Sequence, residues 1–155
     1  MIIAWTTCPY IGRDGKVNPD VRTLNGPGAI NSVGQFVLYA CIAYAVDKNS
    51  KQAQAAANAV DAFFLSSSTG MHPNMRYGQV VRGPGPTGST GTFTGVLDLR
   101  SLVKVLNGIL VLKGLGHSAW TSQRELAMQS WTSQYNQWLI NSDIGKKTGS
   151  RPKCV

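Results

Sequence analysis

A chain of 155 residues with 43% apolar residues is long enough for one domain with a buried core, which argues against disorder and against several domains. Only 14% of its residues are charged, yet 15 lysines and arginines stand against 7 acids, a net charge of +8. That bias favours a polyanionic partner: nucleic acid, an anionic membrane or an acidic polysaccharide. The absence of P-loop, RNA-recognition and zinc-finger patterns argues against nucleic acid. Cys8, Cys41 and Cys154 are too widely spaced for a zinc site, and one disulfide or three free thiols would both fit. No continuous apolar run reaches the roughly 18 residues of a membrane span, and "MIIAW" is too short for a signal peptide.

Residues 1–28, with "GRDGKVNPD" and "LNGPG", read as an irregular entry segment built from turn chemistry. Ile30, Val33, Val37, Cys41 and Tyr44 then recur at steps of three and four, predicting a helix over 29–46. The alanine-rich "SKQAQAAANAVDAFFL" predicts a second helix that buries Ala56, Val60, Phe63 and Phe64. The short polar link between the two predicts an antiparallel hairpin. Next comes "MHPNMRYGQVVRG", residues 71–83, a dense polar cluster for so sparsely charged a chain. "GPGPTGSTGTFTG", residues 83–95, has five glycines, two prolines and four threonines, and reads as a flexible surface loop.

Beyond the loop, Val96, Leu99, Val103, Leu106, Leu110 and Lys113 form one stripe of a long helix stopped by Gly114 and Gly116. Ser122 and Glu125 have capping-box spacing and open a last helix. Its Trp131, Tyr135 and Trp138 could be a sugar-stacking stripe, but this spacing marks a buried face. Residues 146–155, "KKTGSRPKCV", form a basic tail whose four cations are weak grounds for a nucleic-acid arm. The chain is therefore all-α, a single domain of antiparallel helical hairpins around a polar segment and a loop.

His72 and His117 are the only histidines. His117, beside Gly116, reads as a solvated turn residue. His72 precedes Pro73, which favours extended backbone and would put His72, Asn74 and Arg76 on one side. Such a row suits an anionic ligand: arginine for a carboxylate or phosphate, asparagine for hydrogen bonds, histidine for proton transfer. His72 as an ordinary surface histidine stays open beside that reading. The seven carboxylates are scattered and no paired-acid, Ser–His–Asp or HExxH arrangement occurs, which argues against a two-acid glycosidase.

Several stretches together resemble the alginate-lyase domain family, in particular its fungal polyuronate lyases. "TGMHPNMRYGQVVRGPG" resembles the family signature "TGMNPNLNYAQ…G", with His72 where asparagine is usual and Gly78 where alanine is usual. "RDGKVNPDVR" resembles the entry segment, and "TGVLDLRSLVKVLNGILVL" and "WTSQYNQWLINSDIG" the helices that lead to the catalytic motif. The resemblance runs from about Arg13 to Gly145. It implies part of an (α/α) toroid with substrate in a central groove, and β-elimination on uronate polysaccharides without metal or organic cofactor. Polar side chains would neutralise the sugar carboxylate, a base would remove the C5 proton, and a tyrosine would protonate the departing glycosidic oxygen.

By that resemblance Asn74, Tyr77, Gln79 and Arg82 are sugar contacts, and the row of His72, Asn74 and Arg76 read above adds Arg76 as a substrate contact. The family's "NNHG", with its later arginine and tyrosine, does not occur in these 155 residues, so the expectation is a partial domain cut before the catalytic pair. His72 as base and Tyr77 as acid would be replacements. The resemblance implies secretion, although the chain shows no signal peptide. The alternatives are a non-catalytic, lectin-like carbohydrate-binding domain, or an immunomodulatory protein that self-associates through exposed apolar helix faces.

Overall fold

The computed structural model describes residues 25–80 and 90–149. Among these residues there is no strand. Helix α1 (Gly26–Asp47) is followed by α2 (Ser50–Val60), which runs into a π-helical turn (Asp61–Leu65). A 3-10 segment (Phe93–Ser101) then leads into α3 (Leu102–Gly114), α4 (Ser122–Asn141) and α5 (Asp143–Gly149). The all-helical expectation holds.

α1 starts at Gly26, three residues before the predicted start. Pro27 sits in its first turn, where a missing N–H costs nothing and φ is preset. The expected stripe packs inward, with Ile30, Val37 and Cys41 buried. Burial pushes the Cys41 thiol up to about 11. Lys48 turns the chain in the left-handed region at φ 57°, donating its N–H to the Tyr44 carbonyl. Asn49 then caps α2 by accepting the Lys51 N–H at 3.1 Å. The α1–α2 hairpin follows. By length and composition α1 is also apolar enough to cross a membrane. Asn31, Ser32 and Gln35 keep it from being a continuous apolar run, and it packs on α2, α3 and the 3-10 segment.

The predicted second helix changes character at Asp61. The wider π turn closes with the Ser66 N–H on the Asp61 carbonyl at 2.7 Å and turns Phe64 inward. Phe64 meets the Trp131 ring edge-to-face at 5.0 Å and 84°.

The predicted stripe holds at Leu99, which is buried, and slips off the core within α3. Val103 is 57% exposed and Leu110 60%, while Val105, Gly108, Ile109 and Leu112 are buried. Two causes combine. Residues 93–101 wind as a 3-10 helix with about three residues per turn, so a phase counted from Val96 is lost before α3 begins. Gly108 then lets α1 approach closely, since a Cβ there would sit 2.9 Å from Val37 Cγ1. The seam is closed by Ser101 Oγ and Lys104 Nζ, each donating to Asn31 Oδ1 at 3.1 Å.

The cap of α4 is Thr121 rather than Ser122: its hydroxyl accepts the Arg124 N–H at 3.2 Å. Glu125 does not close a capping box. Its carboxylate accepts from Lys113 Nζ at 2.5 Å and Trp120 Nε1 at 2.7 Å, and these bonds hold it below the ordinary carboxylate range. Arg124 forks onto Asp61, with Nη2 at 2.6 Å and Nε at 3.0 Å from Oδ2, and its Nη1 reaches the Ala119 carbonyl. α4 is thereby fixed to the end of α2, and it packs along the π turn and α5. Trp131 and Tyr135 are buried, as expected of the aromatic stripe; Trp138 is only half-buried.

Candidate functional site

The polar cluster forms one wall of a groove of about 560 Å³, opposite the start of α1 and beside the 3-10 segment. His72, Asn74, Arg76 and Tyr77 line it from the wall, Pro27 and Ile30 from α1, and Asp98 from the far side. The wall is not the extended strand expected from the His-Pro pair. The His72 carbonyl accepts the Asn74 N–H at 2.7 Å, a tight three-residue turn, and Asn74 Oδ1 accepts the Arg76 N–H at 3.1 Å. His72, Asn74 and Arg76 therefore reach the groove by successive turns rather than by strand alternation.

The wall is pinned at both ends. At its start the Met71 N–H donates to the Phe63 carbonyl and the Met71 carbonyl accepts Trp131 Nε1, both at 2.7 Å. At its end the Gly91 N–H donates to the Arg76 carbonyl at 2.6 Å and the Thr92 N–H to the Gly78 carbonyl at 3.0 Å. Gly78 makes that crossing tight, since a Cβ there would come within 2.7 Å of the Gly95 carbonyl oxygen. Residues 90–95, predicted as part of a flexible loop, are thus packed backbone to backbone against the wall, with Gly95 buried. Residues 81–89, including Arg82, lie outside the described residues, as do the entry segment to residue 24, Cys8, Cys154 and the tail from residue 150.

Gln79 holds the same crossing with its side chain. At φ 46° it donates from Nε2 to Asp98 Oδ1 at 3.1 Å and accepts the Thr94 hydroxyl on Oε1 at 3.0 Å. Both amide atoms are engaged inside the protein, so Gln79 shapes the groove. Arg76 and Tyr77 are exposed, with the guanidinium 5.9 Å from the Tyr77 ring centre. His72 is exposed, and among the described residues its imidazole has no partner. His117 is not part of this groove. It is half-buried rather than solvated, edge-on to Tyr44 at 4.6 Å, with Nδ1 accepting the Ala119 N–H at 3.0 Å. No group of histidine, cysteine and carboxylate side chains among the described residues could hold a metal ion.

The alginate lyase family model matches residues 4–152. The chain belongs to the alginate lyase family. A crystal structure of an alginate lyase from Bacteroides ovatus superposes with a TM-score of 0.78 at 26% identity, covering 90% of this chain and 35% of that one. This chain therefore spans about a third of that lyase's length, and no curated protein matches it. Its all-helical fold agrees with the helical toroid of the family, and the chain is a polysaccharide-lyase-like domain.

Within this alginate lyase domain, sequence reasoning missed Trp131, Asp98 and Thr94 as supports of the groove wall. Trp131 carried a signal, because a buried indole needs an acceptor for its N–H. Asp98 and Thr94 carried none. They meet Gln79 across 19 and 15 residues of chain.

Proposed function

We propose that this domain binds anionic uronate polysaccharide in the groove walled by residues 71–78 and carries out β-elimination there. The supporting observation is the wall itself, which sets one arginine, one tyrosine, one histidine and one asparagine around a common groove in an alginate lyase domain. Arg76 offsets the uronate carboxylate, which lowers the cost of developing carbanion charge at C5. His72 takes the C5 proton as the C4–C5 double bond forms and the C4–O bond breaks; Tyr77 gives its phenolic proton to the departing oxygen. Exchange with solvent then resets both groups. Asn74 orders the turn through its Oδ1 and has its amide N–H groups left for sugar hydroxyls. Arg82 is assigned to the same polymer from the sequence alone.

The second reading is lectin-like binding without turnover. The internal commitment of Gln79 favours it, because the groove then offers recognition by Arg76 and Tyr77 with fewer polar groups for the reacting centre. Self-association through the exposed Phe36, Tyr39 and Val46 of α1 is compatible with either reading. Secretion is the location that suits such a polymer.

Ultraviolet absorbance of polymannuronate, polyguluronate and polyglucuronate decides between the two. A rise on one polymer that disappears in His72→Ala and Tyr77→Phe supports elimination by this pair. A flat trace with retained calorimetric binding leaves the lectin-like reading, and neither signal from folded protein removes both.

A further inference from the structure

Arg76 lines a second groove as well. This one, about 690 Å³, lies between the end of α4, α5 and residues 90–93, and is shared by Thr92, Phe93, Trp138, Ser142 and Lys147. Its walls are built rather than incidental. The chain breaks from α4 at Ser142, extended at ψ 152°, and a Cβ on Gly145 would meet the Leu139 carbonyl, so α5 lies against the end of α4. The Thr148 hydroxyl lies 3.2 Å from the Ile144 carbonyl and 3.4 Å from that of Phe93, which closes α5 onto residues 90–93. The two grooves therefore share Arg76, whose carbonyl accepts the Gly91 N–H across the seam.

The chemistry of this second groove is that of an acidic sugar site. Trp138 ends a stacked ladder: Trp131 and Tyr135 lie 5.8 Å apart, Tyr135 and Trp138 6.1 Å, with rings inclined by 23° and 19°. The first two rings are buried and the last is half-buried in the groove lining, so its position is supported from below while part of the ring stays open. Among the described residues that line it, Arg76 and Lys147 are cations, Asp143 is a carboxylate, and Thr92 and Ser142 carry hydroxyls. An apolar ligand would waste the cations; a bare anion would waste the ring.

We propose that this second groove is a further uronate subsite, with Trp138 as the platform for a pyranose face and Arg76 and Lys147 as carboxylate partners, so that one polyuronate chain crosses Arg76 and occupies both grooves. The proposal rests on the uronan reading above and adds a direction of binding and a site that the sequence stripe had assigned to the core.

The test is calorimetric titration of wild type, Trp138→Ala and Lys147→Glu with hexasaccharides of mannuronate, guluronate and glucuronate. Trp138→Ala is expected to weaken the preferred hexasaccharide about tenfold through loss of the stacking surface. Lys147→Glu, at an exposed position that leaves the core intact, is expected to weaken it about two- to fivefold. Unchanged affinity in Lys147→Glu together with unchanged affinity in folded Trp138→Ala would overturn the second subsite and leave the first groove standing. If Trp138→Ala does not fold, Lys147→Glu decides alone. No binding by wild type to any of the three would overturn the uronan reading itself, and the subsite with it.

Discussion

Two turns open on a histidine, at residues 72–74 and 117–119, and they differ in what they leave free. In the α3–α4 turn, His117 Nδ1 accepts the N–H two residues ahead, that of Ala119, and the ring packs on Tyr44. In the groove wall the N–H two residues ahead, that of Asn74, goes to the His72 carbonyl instead. Pro73 accounts for the difference: its ring fixes φ near the value a three-residue turn needs. The same donor is spent on the imidazole in one turn and on the backbone in the other. A histidine in a turn is therefore structural or chemically available according to where its neighbour's N–H goes.

The largest expected effect tests how rigidly the groove wall is held. Gly78→Ala forces a Cβ toward the Gly95 carbonyl and should cost about 1–3 kcal/mol in urea unfolding, as overpacking does. An unchanged midpoint would mean the wall yields, and that the groove is soft where the α3–α4 turn is stiff. Arg124→Ala should come next, at about 1–2 kcal/mol, because the fork joins Asp61 to the Ala119 carbonyl and is partly shielded from solvent. A loss confined to that turn, with uronate binding intact, would show that the two regions are independent.

The histidines then separate directly. His117→Ala should lose about 1 kcal/mol from its hydrogen bond and ring contact, and His72→Ala should stay within about 0.5 kcal/mol. Equal losses in thermal or chemical melts would erase the comparison. The smallest effect is acid sensitivity at the α3–α4 turn. The Glu125 carboxyl is held low, first by Lys113 and then by Trp120, so its contribution is complete above the unfolded value of roughly pH 4.3. It is lost as pH falls through the lower folded value. Stability of Glu125→Gln should therefore vary less with pH below pH 5 than that of wild type, and parallel curves would remove this assignment.

The aromatic ladder shows how far sequence reading carries. Spacing identified Trp131, Tyr135 and Trp138 as one face of α4, and the first two are buried. Spacing could not say that the helix end turns into α5 and leaves Trp138 beside Arg76 and Lys147. The groove wall was visible as a polar cluster with a family signature. Its tight turns and its clasp at Gln79 were not, because Asp98 and Thr94 come from the other side of the loop.

What the sequence determined by itself is what depends on near neighbours. The α1 stripe, the turn at Gly116 and the helical character of nearly every described element follow from contacts three or four residues away. The tertiary structure decided which face of α3 is buried and how the groove wall is clasped. The physical reason is the same in both cases. Face choice and wall position are settled by what arrives from elsewhere in the chain: the approach of Val37 to Gly108 and the crossing of residues 90–95 over the wall.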